Sequence, residues 1–112
     1  MTTISVRVLD CTVGRPAPGV LLRLDRRDDR RWEPVVSGVT VNDGRLPAME
    51  EHQVRCGPHQ LTIGPSGYFA GLGTLVDYRD FAVGIQVGET EADLHLAVYV
   101  SAAGFAIYWE RT

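Results

Sequence analysis

Two stretches in the second half of the chain alternate with a period of two, and this alternation constrains the fold more than any other feature. Phe81, Val83, Ile85 and Val87 alternate with Ala82, Gly84 and Gln86. Leu94, Leu96, Val98 and Val100 alternate with His95, Ala97 and Tyr99. Successive side chains of a strand point to opposite faces, so each stretch offers one apolar face to a core. The start of the chain follows the same rule in part. Ile4, Val6 and Val8 stand against Ser5, Arg7 and Leu9, which puts Arg7 and Leu9 together on a mixed face. Val20 to Leu24 reads as a further strand. So does Trp32 to Val41, with Trp32, Val35, Val36, Val39 and Val41 as its apolar residues. Leu61 to Ile63 closes a short one. Gly104 to Trp109 is the last, with Ala106 and Tyr108 on one face.

Turn chemistry separates these strands. Gly14 to Gly19 holds two glycines and two prolines and reads as a loop. Asn42-Asp43-Gly44-Arg45 is a strong turn signal, because Asp-Gly adopts positive φ at little cost. Asp25 to Arg31 is a dense run of both charges, read as a solvated hairpin tip. Pro65 to Gly73 holds one short helix with Ser66 as its N-cap, weakened by its glycines. Short strands, frequent turns and a single helix indicate an all-β sandwich. Neither a repeat nor a linker divides the chain, so 1–112 is expected to be one domain.

Several functions are excluded by composition. No apolar run approaches the ~20 residues that span a bilayer. Met1-Thr2-Thr3 leads straight into a strand instead of a secretory signal, which sets the cytoplasm as the expected compartment. A net charge of −3 argues against a nucleic-acid partner. All 11 basic residues are arginine, which GC-rich codon usage explains. Cys11 and Cys56 lack metal-ligand or redox spacing and read as free, partly buried thiols. His52 and His59 read as surface loop residues, and Asp93, His95 and Glu110 form no recognisable metal set. No metal and no cofactor is expected.

Five motifs then fall in one order along the chain. They are Val8-Leu9-Asp10 with Gly14-Arg15-Pro16-Ala17; Trp32-Glu33-Pro34 with Ser37-Gly38 and Thr40; Asp43-Gly44-Arg45; Gly67-Tyr68-Phe69; and Leu94-His95-Leu96-Ala97 with Ser101. Together they resemble the transthyretin and 5-hydroxyisourate hydrolase family across essentially the whole chain. The resemblance implies a transthyretin-like β-sandwich of about eight strands with one short helix. It also implies a homotetramer, a dimer of dimers, in which edge strands of two protomers join and two dimers enclose a channel. By the same resemblance Arg7, Leu9, Arg45, His95, Ala97, Tyr99, Ala106, Tyr108 and Glu110 line that channel, and Arg45 and His95 stand where the hydrolases carry an active-site arginine and histidine. The departures lie at the same place. Arg7 stands where the hydrolases have a histidine and transthyretin a lysine. Tyr108-Trp109-Glu110-Arg111-Thr112 stands where the hydrolases usually end in Tyr-Arg-Gly-Ser. Ala102 and Ala103 replace the usual proline and aromatic residue of the preceding turn.

Hydrolysis at a carbonyl needs a base for water and donors for the developing oxyanion. His95 can be the base, with a reference pKa of about 6.5. Arg45 can grip a carbonyl or carboxylate with paired donors. Arg7 stays protonated, so it binds anions, stabilises an oxyanion or lowers a neighbour's pKa. Tyr108 or Glu110 can supply a second acid–base group. Each residue also has a plain reading: Arg7 paired with Glu110, Arg45 as a solvated turn residue, His95 as a hydrogen-bonded sheet histidine. Three functions follow. One is a hydrolase or cyclase with altered chemistry acting on a small heterocyclic or carbonyl compound in specialised metabolism. The second is a 5-hydroxyisourate hydrolase of purine catabolism that tolerates Arg7. The third is a non-catalytic transthyretin-like binder of a small anionic aromatic ligand, favoured by Arg7, Trp32-Glu33-Pro34, Tyr99 and Tyr108.

Overall fold

The structure is a computed structural model that describes residues 1–90 and 92–111. The described residues form two sheets packed face to face, as the alternation requires. One sheet is built from β1 (Thr2–Asp10), β2 (Arg15–Pro16), β8 (Leu94–Ser101) and β9 (Gly104–Arg111), in the order β2-β1-β8-β9. The short β5 (Gln53–Val54) pairs with the start of β1. The other sheet runs β4-β3-β6-β7, from β3 (Leu21–Asp28), β4 (Arg31–Val39), β6 (Gly57–Gly64) and β7 (Phe81–Val87). Two short helices, α1 (Pro47–Glu50) and α2 (Ser66–Gly71), lie in the connections. Among the described residues the strand pairings are antiparallel except one: β1 and β8 run parallel, with Ile4 opposite Leu94 at one end and Asp10 opposite Val100 at the other.

The core fills the gap between the sheets. β1 contributes Ile4, Val6 and Val8, and β8 contributes Leu96, Val98 and Val100. Leu22, Leu24, Leu61, Ile63, Ile85 and Val87 come from the opposite sheet. These side chains are almost wholly withdrawn from water, worth about 1.5–3 kcal/mol for each fully buried Val, Leu or Ile. Burial along β1 and β8 alternates without a break, so the register cannot slip by one residue without exposing the whole apolar set. At the margin of the sandwich Phe105 of β9 stacks on Phe81 of β7, with centroids 3.6 Å apart and planes 1° from parallel. Tyr78 meets both rings edge-on.

Two polar ties hold the loops to this frame. The Thr40 hydroxyl donates to the Ala17 carbonyl at 2.6 Å and accepts from the Val20 N–H at 2.9 Å, both buried. Tyr68 of α2 donates its hydroxyl to Asp10 Oδ2 at 2.7 Å. Burial pushes the Asp10 carboxyl up, but hydrogen bonds from Tyr68, Thr12 and Val13 outweigh it and hold the group below its ordinary value. Burial and the same Asp10 contact push the Tyr68 phenol up to about 12.

The structure corrects several expectations. The charge run is not merely a solvated tip: β3 and β4 extend into it and turn at Asp29, whose φ is +54°. Asp25 within the run is buried and bound to Arg23 Nε at 2.9 Å, beside a bulge between Leu24 and Asp25. Ser66 is the first residue of α2 and not its cap. Pro65 takes the cap position with a helical backbone, and no side chain caps the helix. The described residues hold a second helix, α1, started by Pro47. Cys11 and Cys56 are exposed instead of partly buried.

His59, expected in a surface loop, is instead a core-facing residue of β6. It is 1% exposed, in step with Leu61 and Ile63. Its Nδ1–H donates to the Gly57 carbonyl at 3.0 Å, and its buried Nε2 has no hydrogen-bond partner among the described residues.

Candidate functional site

Where β1 and β8 turn their apolar residues inward, the alternate residues necessarily face out. The outward face of this sheet carries Ser5, Arg7 and Leu9 from β1, His95, Ala97 and Tyr99 from β8, and Ala106, Tyr108 and Glu110 from β9. Strand register arranges them in rows. Ser5, His95 and Glu110 form one row; Arg7, Ala97 and Tyr108 the next; Leu9, Tyr99 and Ala106 the third. The nine outward residues proposed from the sequence therefore include eight of these strand positions, with Arg45 as the ninth, and all lie in one neighbourhood.

Arg45 reaches the face through its turn. The Asn42 to Arg45 segment closes on itself, with the Gly44 N–H donating to the Val41 carbonyl and the Val41 N–H to the Arg45 carbonyl. The turn then docks on β1, because the Val8 N–H donates to the Gly44 carbonyl at 2.8 Å. Gly44 has φ +81°, and a Cβ there would lie 2.3 Å from the Val8 carbonyl oxygen. Only glycine lets the two backbones approach so closely. The result is a bridge that makes Arg45 the direct neighbour of Arg7.

The polar contacts differ from the plain readings of the sequence. Arg7 does not pair with Glu110. It donates Nε–H to the Asp43 carbonyl at 3.2 Å, and Glu110 lies opposite His95 instead. Arg45 is more than a solvated turn residue, since Nη1 lies 3.4 Å from Glu50 Oε1 on α1. That pair is partly exposed and worth about 0–1 kcal/mol at most, so it guides Arg45 without freezing it. His95 is indeed hydrogen-bonded within the sheet, its Nδ1 lying 2.8 Å from Ser5 Oγ. Tyr99 and Tyr108 meet edge to face, 5.7 Å between centroids.

These rows leave a low spot at Ala97. On the same strand and face, His95 and Tyr99 flank it, and they stand roughly 13 Å apart along β8 at strand rise. Arg7 and Tyr108 flank it across the sheet, about 10 Å apart at two strand spacings. Around that methyl stand an imidazole, a guanidinium with a second beside it, and two phenols. Such a set can hold an anionic or carbonyl-bearing ring, take a proton from water and stabilise an oxyanion. The face is open: Arg7, His95, Ala97 and Tyr99 are half-buried, while Ala106, Tyr108 and Glu110 are exposed.

Sequence reasoning did not single out Ser5, Glu50 or the Asp43 carbonyl. Ser5 was within reach, since it sits two residues before Arg7 on the same strand face. Its contact with His95 was not, because it depends on the parallel register of two strands 90 residues apart. Among the described residues no three of His, Cys, Asp and Glu cluster as a metal site, and no helix is long and apolar enough to cross a membrane.

Comparison with known proteins bears on this face. The model of the HIUase/Transthyretin family matches residues 4–109. The 5-hydroxyisourate hydrolase of Deinococcus radiodurans is 29% identical over 110 residues, covering 94% of this chain and 92% of that protein. That of Salmonella dublin is 27% identical over 106 residues, covering 94% and 78%. Among solved structures, Klebsiella pneumoniae 5-hydroxyisourate hydrolase superposes with a TM-score of 0.82 at 25% identity, covering 96% of this chain and 98% of that one. Sea bream transthyretin in complex with thyroxine superposes with a TM-score of 0.89 at 21% identity, covering 98% and 96%, a likeness of fold.

Proposed function

The chain belongs to the HIUase/Transthyretin family, and from that premise we propose that it is a divergent hydroxyisourate-hydrolase-like enzyme that opens a small planar heterocycle or related carbonyl compound at the face centred on Ala97. The observation that carries the reading is the register that sets Arg7, His95 and Tyr108 around Ala97, with Arg45 beside Arg7. His95 Nε2 takes a proton from water as the oxygen attacks a ring carbonyl carbon. The charge that develops on the carbonyl oxygen is met by the guanidiniums of Arg45 and Arg7. Collapse of the tetrahedral intermediate breaks the carbon–nitrogen bond, and the proton held on His95 goes to the leaving ring nitrogen. Tyr108 covers the ring from the β9 side and offers its hydroxyl as a second group for that proton transfer. Arg7 cannot serve as a base, so its contribution is charge: two adjacent guanidiniums favour a substrate that carries or develops negative charge.

In this reading the open face is closed by a second copy of the chain in a dimer of dimers, which shields the ring from water. Size-exclusion chromatography with light scattering tests that assembly. The remaining alternative is a binder of a small anionic aromatic ligand. The edge-to-face contact of Tyr99 with Tyr108 beside Arg7 favours it, because aromatic walls and a fixed cation suit an aromatic anion.

The test is turnover of freshly generated 5-hydroxyisourate, followed spectroscopically, for the unmodified chain and Arg7→His. Rapid turnover by the unmodified chain supports hydrolysis of that compound with arginine at position 7. Activity gained only in Arg7→His supports the same scaffold with a different substrate. No turnover in either, with His95→Ala indistinguishable from the unmodified chain in every assay, overturns the enzyme reading in favour of the binder.

A further inference from the structure

We infer that Ser5 is a positioning residue for His95: its hydroxyl accepts the Nδ1–H of the imidazole and holds the ring in the tautomer whose Nε2 carries the free lone pair. The inference rests on the proposed use of His95 as a base, and it explains why the base would act through the outer nitrogen. Ser5 Oγ and His95 Nδ1 lie 2.8 Å apart, and the two residues are register partners on adjacent parallel strands. The serine is held tightly. Ile4 and Val6 on either side of it are each 1% exposed, so its backbone is pinned by the core. With only one side-chain torsion between that backbone and Oγ, the hydroxyl has a nearly fixed place. On β8 the inward neighbours of His95 are Leu94 and Leu96, both buried, so the histidine backbone is equally restrained.

The bond matters because the two imidazole nitrogens are not equivalent in position. Nδ1 lies near the strand backbone, and Nε2 is the atom that reaches outward. A neutral histidine free in water prefers its proton on Nε2, which would leave the lone pair on Nδ1, facing Ser5 and away from any ring over Ala97. The Ser5 hydroxyl can donate or accept at Nδ1, and by accepting the Nδ1–H it reverses this preference, since the hydrogen bond made by one nitrogen sets the state of the other. The cations of the site, Arg7 and Arg45, already supply donors for an oxyanion. A third donor at Nε2 would add nothing to them, whereas an acceptor there supplies the only base among the three. Ser5 also fixes the ring plane, so that Nε2 points along one direction without searching.

The test uses the full chain labelled with nitrogen-15. Two-bond proton–nitrogen correlation at about pH 8.5, above the reference histidine pKa, distinguishes the two neutral tautomers of His95 directly. The expected result is the Nδ1–H form in the unmodified chain and in Ser5→Thr, which keeps the hydroxyl, and a change to the Nε2–H form in Ser5→Ala. On 5-hydroxyisourate, Ser5→Ala should lower kcat by roughly 10–100-fold, the range for loss of an orienting partner, with KM nearly unchanged and Ser5→Thr recovering much of the rate. An Nε2–H form in the unmodified chain, or a tautomer that ignores Ser5→Ala, overturns the inference. A tautomer that follows Ser5 as expected supports it even where no variant turns the compound over. In that case the tautomer is established and it is 5-hydroxyisourate that fails as the substrate.

Discussion

Replacing Gly44 by alanine should destabilise the fold and detach Arg45 from Arg7, and the size of the effect can be worked from two contacts. The left-handed backbone alone, φ +81°, costs about 1–2 kcal/mol for any residue with a Cβ. The new methyl would also stand 2.3 Å from the Val8 carbonyl oxygen and 3.3 Å from Pro16 Cβ. Ordinary heavy-atom contact needs roughly 1 Å more than the first of these. The Val8 oxygen cannot easily retreat, because it accepts the Ala17 N–H at 2.9 Å. The turn must therefore lift, and the Val8 N–H bond to the Gly44 carbonyl goes with it, at about 1 kcal/mol. The sum is about 2–3 kcal/mol. Gly14→Ala is the matched control. Gly14 has φ +68° with nothing within 4 Å of the place its new methyl would take, so it reports the backbone term without the collision. Urea unfolding followed by far-ultraviolet circular dichroism at matched protein concentration reads both, provided the slope m is unchanged. The difference between the two variants should be at least about 1 kcal/mol, with Gly44→Ala also losing turnover or ligand binding. Equal destabilisation of the two would refute the claim that the close approach of the turn to β1 requires glycine.

Two further outcomes follow from the structure. Burial lowers the His59 pKa, the Gly57 carbonyl opposes that shift and Arg26 adds to it, so the folded chain binds a proton less readily than the unfolded one. Stability should then fall as pH drops below the unfolded value of about 6.5, by up to about 1.4 kcal/mol per pH unit until the folded group titrates, and His59→Leu should remove that part of the slope in urea titrations at stepped pH. Ala97→Phe should fill the low spot on the outward face and lower turnover or ligand affinity at least tenfold, while shifting stability by less than about 1 kcal/mol because the position faces away from the core. Unfolding and activity assays on that one variant separate the two effects, and retained activity would place the reacting ring elsewhere.

Much of the fold could be read in the residues because alternation is a strong constraint. The runs through Ile4, Phe81 and Leu94 each name their inward face, and the structure turns those faces to the core, with Phe81 and Val83 half-buried at its edge. The Asp43-Gly44 turn was visible for the same reason, since few residues other than glycine tolerate its backbone. Tertiary context decided the rest. Asp25 looks solvated in a run of charges until Arg23 and the bulge beside it take it into the sheet. His59 looks like a loop residue beside Gly57-Pro58, yet β6 begins at that glycine and turns the imidazole inward. The candidate site was legible by strand parity and family position together. Parity alone separates Arg7 from Val6 and His95 from Leu96, but it cannot say that Arg7 lies beside Ala97. Nor can it see that Arg45 arrives by a turn docked on β1, or that Ser5 meets His95.

The parallel pairing of β1 with β8 has a consequence for how this face comes into being. Contacts between residues some 90 positions apart give the sheet a high contact order, and chains dominated by such contacts fold slowly. During synthesis β1 is made early and must wait for β8 with one long edge unpaired. The hairpin of β8 and β9 is local and can close quickly, and then dock as a unit against the waiting strand. Arg7 and His95 therefore remain strangers until the docking step that completes the core, so no half-built chain can display this face.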